Sequence, residues 1–255
     1  MSILANKIFY INSEDRLSGT ASNFTYELDI PEGARMDSCC VLAMTIPRSY
    51  YLVREGYNTF TLSLNGIERP ITVPSGNYTA MSFIPILTSL LSDGTHLFTI
   101  TFSSAVGKYT YSYTGPASSI TFIFGNGRVG HQMGFDEPSE NSFVANILAS
   151  KNVLDFISTS SLFLHSNIVE DSSSVLQEIY SDNSVPFSNL VYNCQFPAMY
   201  SKKLKNDTST LFQFSLTDER NRILDLNGHD ILITLLLYRK ENLTNLFKTV
   251  LLKDQ

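Results

Sequence analysis

Hydrophobic and polar residues alternate with a period of two along most of this chain, which predicts β-strands with one buried face. In SNFTYELDI, Phe24, Tyr26 and Leu28 fall on one side. In NTFTLSLNG, Phe60, Leu62 and Leu64 do the same, and Asn65-Gly66 then supplies the two residues of a type I′ turn before a returning strand, Ile67 to Val73. Pro70 marks that return as an edge or irregular strand. LFTITF places Phe98, Ile100 and Phe102 together, KYTYSY places Tyr109, Tyr111 and Tyr113 together, and Gly107 lies in the turn between them. SLFLHSNIV (Ser161 to Val169) and LFQFSL (Phe212, Phe214, Leu216) add two more strands. ILITLLLY (Ile231 to Tyr238) is apolar without alternation and predicts a strand covered on both faces.

Helical spacing is scarce. Tyr78 to Ser92 carries Met81, Ile84, Leu87, Leu90 and Leu91 at helical intervals, with Thr79 as the cap and Pro85 as a kink or a delayed start. Val175 to Tyr180, VLQEIY, reads as a short second helix. Many short strands separated by turn signals predict an all-β sandwich or barrel.

Composition narrows the choice. Of 255 residues, 43% are hydrophobic and only 16% charged, enough to bury a substantial core but sparse for a monomer's coat, so part of the surface is expected to meet other chains. A net charge of −6, with SKKLK at Ser201 to Lys205 as the densest basic run, disfavours direct nucleic-acid binding. No apolar run reaches the ~20 residues of a membrane span, and the first residues lack the pattern of a secretory signal. Cys39, Cys40 and Cys194 form no disulfide framework and predict a reducing compartment; the neighbours Cys39 and Cys40 point to opposite faces of a strand. Four Asn-x-Ser/Thr triplets, at Asn23, Asn77, Asn206 and Asn242, read as chance in a Ser/Thr-rich chain.

Candidate chemistry is thin. Gly125, Gly127 and Gly130 spell G-x-G-x-x-G after the apolar run Ile120 to Phe124. A dinucleotide turn must open a helix and needs an acidic residue about 20 positions on. Gly134 and Pro138 sit where that helix would run, and position 145 is alanine. The match reads as a loop followed by one short turn. His96, His131, His165 and His229 are scattered and write no zinc motif, and Cys194 has no local catalytic partner. Asp218, Glu219, Asp225 and Asp230 form the densest acidic region, but their spacing is not that of a calcium loop, and they read as turn caps. No catalytic, cofactor-binding or metal-ligating residue is nominated, and no cofactor is expected. IFYIN followed by SEDRLSGTASN reads either as an N-terminal arm (1–19) that packs on its own domain or reaches a neighbouring subunit, or as an ordinary first strand.

Several blocks together look familiar: INSEDRLSGTASNFTYEL, CVLAMTIPRSYYLVREGYNTFTL, VPSGNYTAMSF, MGF and FSLTDERNRILDLNGHDILITLLLY. In that order they resemble the penton, or vertex minor capsid protein, of virophages and Polinton-like viruses. The resemblance implies a single jelly-roll β-sandwich, in some members with an inserted β-rich domain, assembled as a homopentamer at the icosahedral five-fold vertex of the virion. There it would sit among trimers of a double jelly-roll major capsid protein, with a host-surface receptor as a further candidate partner. No enzymatic activity or cofactor is implied, and no subunit-interface residue is marked by a motif. A chain of this length has room for one sandwich plus an insertion. The expected layout is an arm at 1–19, a sandwich from 20–77 and 141–255, and an insertion at 78–140. The competing readings are a lectin-like binding module, with Tyr109, Tyr111 and Tyr113 facing a sugar, and an enzyme built on the glycine loop.

Overall fold

The computed structural model describes residues 6–30, 36–156, 160–181, 187–205 and 210–239. In chain order the strands begin with β1 (Asn6–Asn12), β2 (Ser18–Thr20), β3 (Asn23–Glu27), β4 (Ser38–Pro47), β5 (Thr59–Leu64) and β6 (Ile67–Thr72). Helix α1 (Ala80–Leu91) precedes β7 (Leu97–Ser103), β8 (Lys108–Thr114) and β9 (Ile120–Phe124). A one-turn helix α2 (Val129–Gln132) precedes β10 (Ser139–Ser142) and β11 (Ile147–Ala149). The last six strands are β12 (Ser161–Ser166), β13 (Val175–Tyr180), β14 (Asn189–Asn193), β15 (Lys202–Lys203), β16 (Leu211–Asp218) and β17 (Leu232–Tyr238). The protein is all-β, and its chain divides into two compact units: Met1–Tyr50 with Thr159–Gln255, and Tyr51–Ser158.

The first unit is a jelly roll, and its strand pairing shows why. Its eight long strands are, in order, β1, β3, β4, β12, β13, β14, β16 and β17. The first pairs with the eighth, the second with the seventh, the third with the sixth and the fourth with the fifth, all antiparallel. This is one long hairpin wrapped around a core. Wrapping adds two further pairings, β17 with β4 and β16 with β12, and so yields two sheets, β1-β17-β4-β14 and β13-β12-β16-β3. Short β15 extends the first sheet and β2 the second. Inward residues of both sheets meet in one core, including Met44, Ile233 and Leu235 from the first and Phe24, Leu164 and Leu216 from the second.

The second unit holds two smaller sheets, β10-β9-β5-β6 and β11-β8-β7, with α1. Asn65 and Gly66 both take positive φ, 51° and 81°, and close the predicted two-residue turn. The Asn65 side chain also accepts from the backbone N–H groups of Ser118 and Ser119 at 3.0 Å, so the turn residue anchors a second loop. Pro70 lies on the edge strand β6, where its missing N–H costs no ladder bond. Thr79 caps α1: its hydroxyl accepts from the Ser82 N–H at 3.1 Å while Ser82 Oγ accepts from the Thr79 N–H at 2.9 Å.

Four expectations need correction. VLQEIY is strand β13, paired with β12; six residues cannot sustain an isolated helix, and the β-branched Val175 and Ile179 with the aromatic Tyr180 suit a strand. The buried stripe of α1 is Phe83, Leu87 and Leu91, whereas Met81 is 63% exposed. The hairpin β5-β6, expected in the sandwich, pairs with β9 of the second unit, and β10 and β11 join the same unit; Phe60 and Leu62 find their cross-strand aromatic partners there. Finally, ILITLLLY alternates after all. Ile233, Leu235 and Leu237 are buried, while Leu232 is half exposed and Thr234 and Leu236 are intermediate on the other face. The segment Asn6–Asn12 is an ordinary first strand, paired along its whole length with β17. Asn206 and Asn242 lie outside the described residues.

Candidate interaction edges

The glycine loop is closed on itself. After Phe124 the chain makes only the four-residue α2. The Gly130 N–H, which would face a pyrophosphate, donates to Glu137 Oε1 at 2.6 Å. A Cβ at Gly130 would stand 2.7 Å from the Glu137 side chain, and one at Gly127 would stand 3.2 Å from the Tyr57 carbonyl. These glycines let the chain pack against its own carboxylate and backbone. His131 Nε2 lies 3.8 Å from the same Glu137 carboxylate, so this histidine belongs to the loop's closure.

The remaining sequence candidates separate in space. Asp218, 1% exposed, accepts from the backbone N–H groups of Arg220 and Arg222 at 3.0 Å and pairs with the Arg222 guanidinium at 2.8 and 2.9 Å. Its oxygens close a turn. Asp225 accepts from the Asn227 N–H at 2.8 Å, which makes it a turn cap as well. No group of three or more His, Cys, Asp or Glu residues is arranged to hold a metal ion among the described residues. His165 bridges strands, with Nε2 3.0 Å from Thr217 Oγ1, and His96 lies 2.6 Å from the Tyr113 hydroxyl. Tyr109, Tyr111 and Tyr113 are all buried, and burial pushes the Tyr109 and Tyr111 hydroxyls above the usual tyrosine range. Their rings pack on Phe102, Phe122 and Phe98, so none presents a face to a sugar.

The two cysteine neighbours do face opposite ways. Cys39 joins the jelly-roll core, and burial pushes its thiol up to about 12. Cys40, also buried, lies with its Sγ 3.8 Å from Cys194 Sγ.

Two of the blocks that carry the resemblance, 11–28 and 214–238, come together. Arg16 Nη1 donates to the Ser13 carbonyl at 2.7 Å and pairs with Asp230 at 3.2 Å, while Ser13 Oγ donates to the same carboxylate at 2.8 Å. Gly19, at φ +95°, allows this return, because a Cβ there would collide with the Asn23 carbonyl at 2.2 Å. A cleft of about 470 Å³ lies along this junction, lined by Arg16, Thr20, Asp225 and Asp230 among others. Arg16, Asp225 and Asp230 are already committed to the contacts above.

What the sequence reading missed is an uneven pair of edges. Among the described residues, the sheet β1-β17-β4-β14 ends at β1 on one side and β14 on the other. On the β1 side, Tyr10 is 78% exposed and Ile8 and Leu232 about half exposed. Tyr10 stands opposite Thr234, and that strand runs on to Ala43 and Thr45 of β4, so this outward face carries no charge where the three strands meet. A shallow hollow of about 270 Å³ lies there. On the other side, Val191 of β14 and the following Phe196, Met199 and Tyr200 are exposed, as is Phe187 just before the strand. The one available signal was the run FPAMY, three large apolar side chains around a proline in a segment with no strand pattern.

No protein-family model matches this chain, and no curated protein matches it. It is similar to the crystal structure of a selenomethionine-labelled mavirus penton protein, at 12% identity and a TM-score of 0.46, covering 91% of this chain and 99% of that one. Nothing about activity or partners is transferred from a likeness of this extent.

Proposed function

We propose that this chain is a structural protein of a viral capsid whose work is to join copies of itself into a closed ring, the vertex homopentamer that the sequence resemblance implies. One observation carries the reading: the opposite edges of a single sheet are both apolar and exposed, and they differ from each other. A strand edge offers unpaired N–H and C=O groups that invite pairing. Two unlike, complementary edges make a head-to-tail contact, and such contacts generate rings. Tyr10, Ile8 and Leu232 supply one side; Val191, Phe196 and Met199 supply the other. A permanent contact of this type buries roughly 2,000 Å² or more. The low charge content fits a surface of which part is hidden in the assembly. In this reading the ring sits among trimers of a major capsid protein, in a virion assembled in the host cell's reducing compartment. The lectin-like alternative has lost its residues, since the three tyrosines are core.

Light scattering and native mass spectrometry test the proposal. The unaltered protein is expected as a pentamer. Tyr10→Asp spoils one edge and Met199→Asp the other, so each alone gives a monomer. Mixed together, each retains one sound edge, and they pair as a dimer that cannot close. A wild-type monomer at high concentration overturns the reading, and so does a mixture that stays monomeric.

A further inference from the structure

The pair Cys40 and Cys194 is a second place where the β14 side of the sheet has unspent chemistry. The ladder between β14 and β4 runs to Asn193 opposite Ala43, and the Cys194 N–H then donates to the Leu42 carbonyl at 2.8 Å. Along β4 the register against β17 skips Leu42, where Thr234 faces Ala43 and Leu235 faces Val41. Beside this irregularity two sulfurs distant in sequence, one on β4 and one just after β14, stand 3.8 Å apart, both as free thiols. They differ in access: Cys40 is 1% exposed, whereas Cys194 is only partly covered. Cys39, the other buried thiol, belongs to the core on the opposite face.

We propose that Cys40 and Cys194 form a disulfide latch, closed by a small-molecule disulfide such as oxidised glutathione when the protein passes from reducing to oxidising surroundings. The Cys194 thiolate attacks one glutathione sulfur, forming a mixed disulfide and releasing one glutathione thiolate. The Cys40 sulfur then attacks the Cys194 sulfur and expels the second. The protein loses two protons and two electrons, equivalent to two hydrogen atoms, and one oxidised glutathione becomes two reduced. Closure needs the sulfurs to move from 3.8 Å to a bond of roughly 2.05 Å. Access assigns the order, because a small disulfide reaches Cys194 and not Cys40. Burial, with Cys194 beside it, pushes the Cys40 thiol up to about 12, so its second step has only a sparse thiolate and depends on a target already in place. The latch ties the start of the segment bearing Phe196, Met199 and Tyr200 to the sheet's interior strand. It stands independently of the ring proposal, since it is read on single chains.

The test is peptide mapping and intact mass after incubation of the native protein with oxidised glutathione. The expected product is lighter by about 2 Da and contains a linked Cys40–Cys194 peptide pair. Cys40→Ser is expected to stop at a mixed disulfide on Cys194, heavier by about 305 Da, and Cys194→Ser to take up no glutathione. A variant that failed to fold would take up glutathione at every remaining cysteine, and the wild-type map would then decide alone. Glutathione retained on wild-type Cys194, a link through Cys39, or a link between two chains overturns the proposal.

Discussion

The two units solve the same problem, a β-core, with different materials. The jelly roll is filled mainly by aliphatic side chains: Ile11, Val41, Met44, Leu164, Leu216, Ile233 and Leu235 join one core with the stacked rings of Phe24 and Phe214, 5.6 Å apart. The second unit is filled by rings. Phe122 alone packs against Phe60, Phe98, Tyr111, Phe124, Phe135 and Phe143, most of them edge-to-face. Two long sheets bury their faces against each other over many small contacts. A four-stranded and a three-stranded sheet have less backbone to enclose, and large rings fill more volume per residue. The jelly roll is therefore expected to spread its stability, and the second unit to concentrate it around a few rings.

The sharpest test of that contrast is Phe122→Ala. It should cost about 4 kcal/mol and expose the backbone of β5, β8 and β9 in hydrogen exchange resolved by peptide. An effect below about 1 kcal/mol would mean that the ring cluster is not the keystone. Next, Asp218→Ala should cost about 3 kcal/mol in the jelly roll, by removing a buried carboxylate that both pairs with the Arg222 guanidinium and closes the turn. Denaturant unfolding of Asp218→Asn, which keeps the shape and loses the charge, would separate the ion pair from the turn. Keeping a large apolar side chain but removing the ring gives the finer comparison. Phe122→Leu should cost about 2 kcal/mol and Phe214→Leu about 1 kcal/mol, because the first loses many ring neighbours and the second loses one. Equal costs would break the distinction.

Alkaline pH gives a further contrast. Burial raises the thiols of Cys39 and Cys40 from 9.0 to about 12, and it raises the Tyr109 and Tyr111 hydroxyls above 10.0. In each case the folded state holds the proton more tightly, so the stabilisation is complete below the unfolded value and is lost as pH rises. The jelly roll should begin to weaken above pH 9, and the ring-filled unit only above pH 10. Exchange measured across this range, with Cys39→Ala and Cys40→Ala removing the earlier loss, checks the order. The smallest effect is expected for Leu232→Ser: half exposed, it should change the stability of an isolated chain by less than about 0.5 kcal/mol, while weakening the proposed ring contact in light scattering.

Alternation made most strands legible, because Phe24, Phe60, Leu62, Ile100, Tyr111 and Phe214 each point inward where the period places them. The capped helix and the Asn65-Gly66 turn were legible for local reasons, since both depend on neighbours a few residues away. Partnership was harder. Nothing in the letters of β5 says that it pairs with β9, because both units offer apolar strands of similar length. The edges were hidden for a related cause. Leu232 and Leu236, on the outward face, read like Ile233 and Leu235 in the core, so an apolar surface looked like a doubly covered strand. The thiol pair was invisible because pairing across the wrapped hairpin brings Cys194 beside Cys40, and sequence distance carries no trace of that.

The pairing of Asn6–Asn12 with Leu232–Tyr238 also sets a timetable. A nascent chain leaves the ribosome from its N-terminal side, so β1 must wait unpaired until synthesis has passed Tyr238 and β17 has emerged. The ring-filled unit makes its pairings within Tyr51–Ser158 and is free to form first, whereas the jelly roll can close only after β17 has followed it out. If the proposed ring forms, a chain of this design cannot join it half-made.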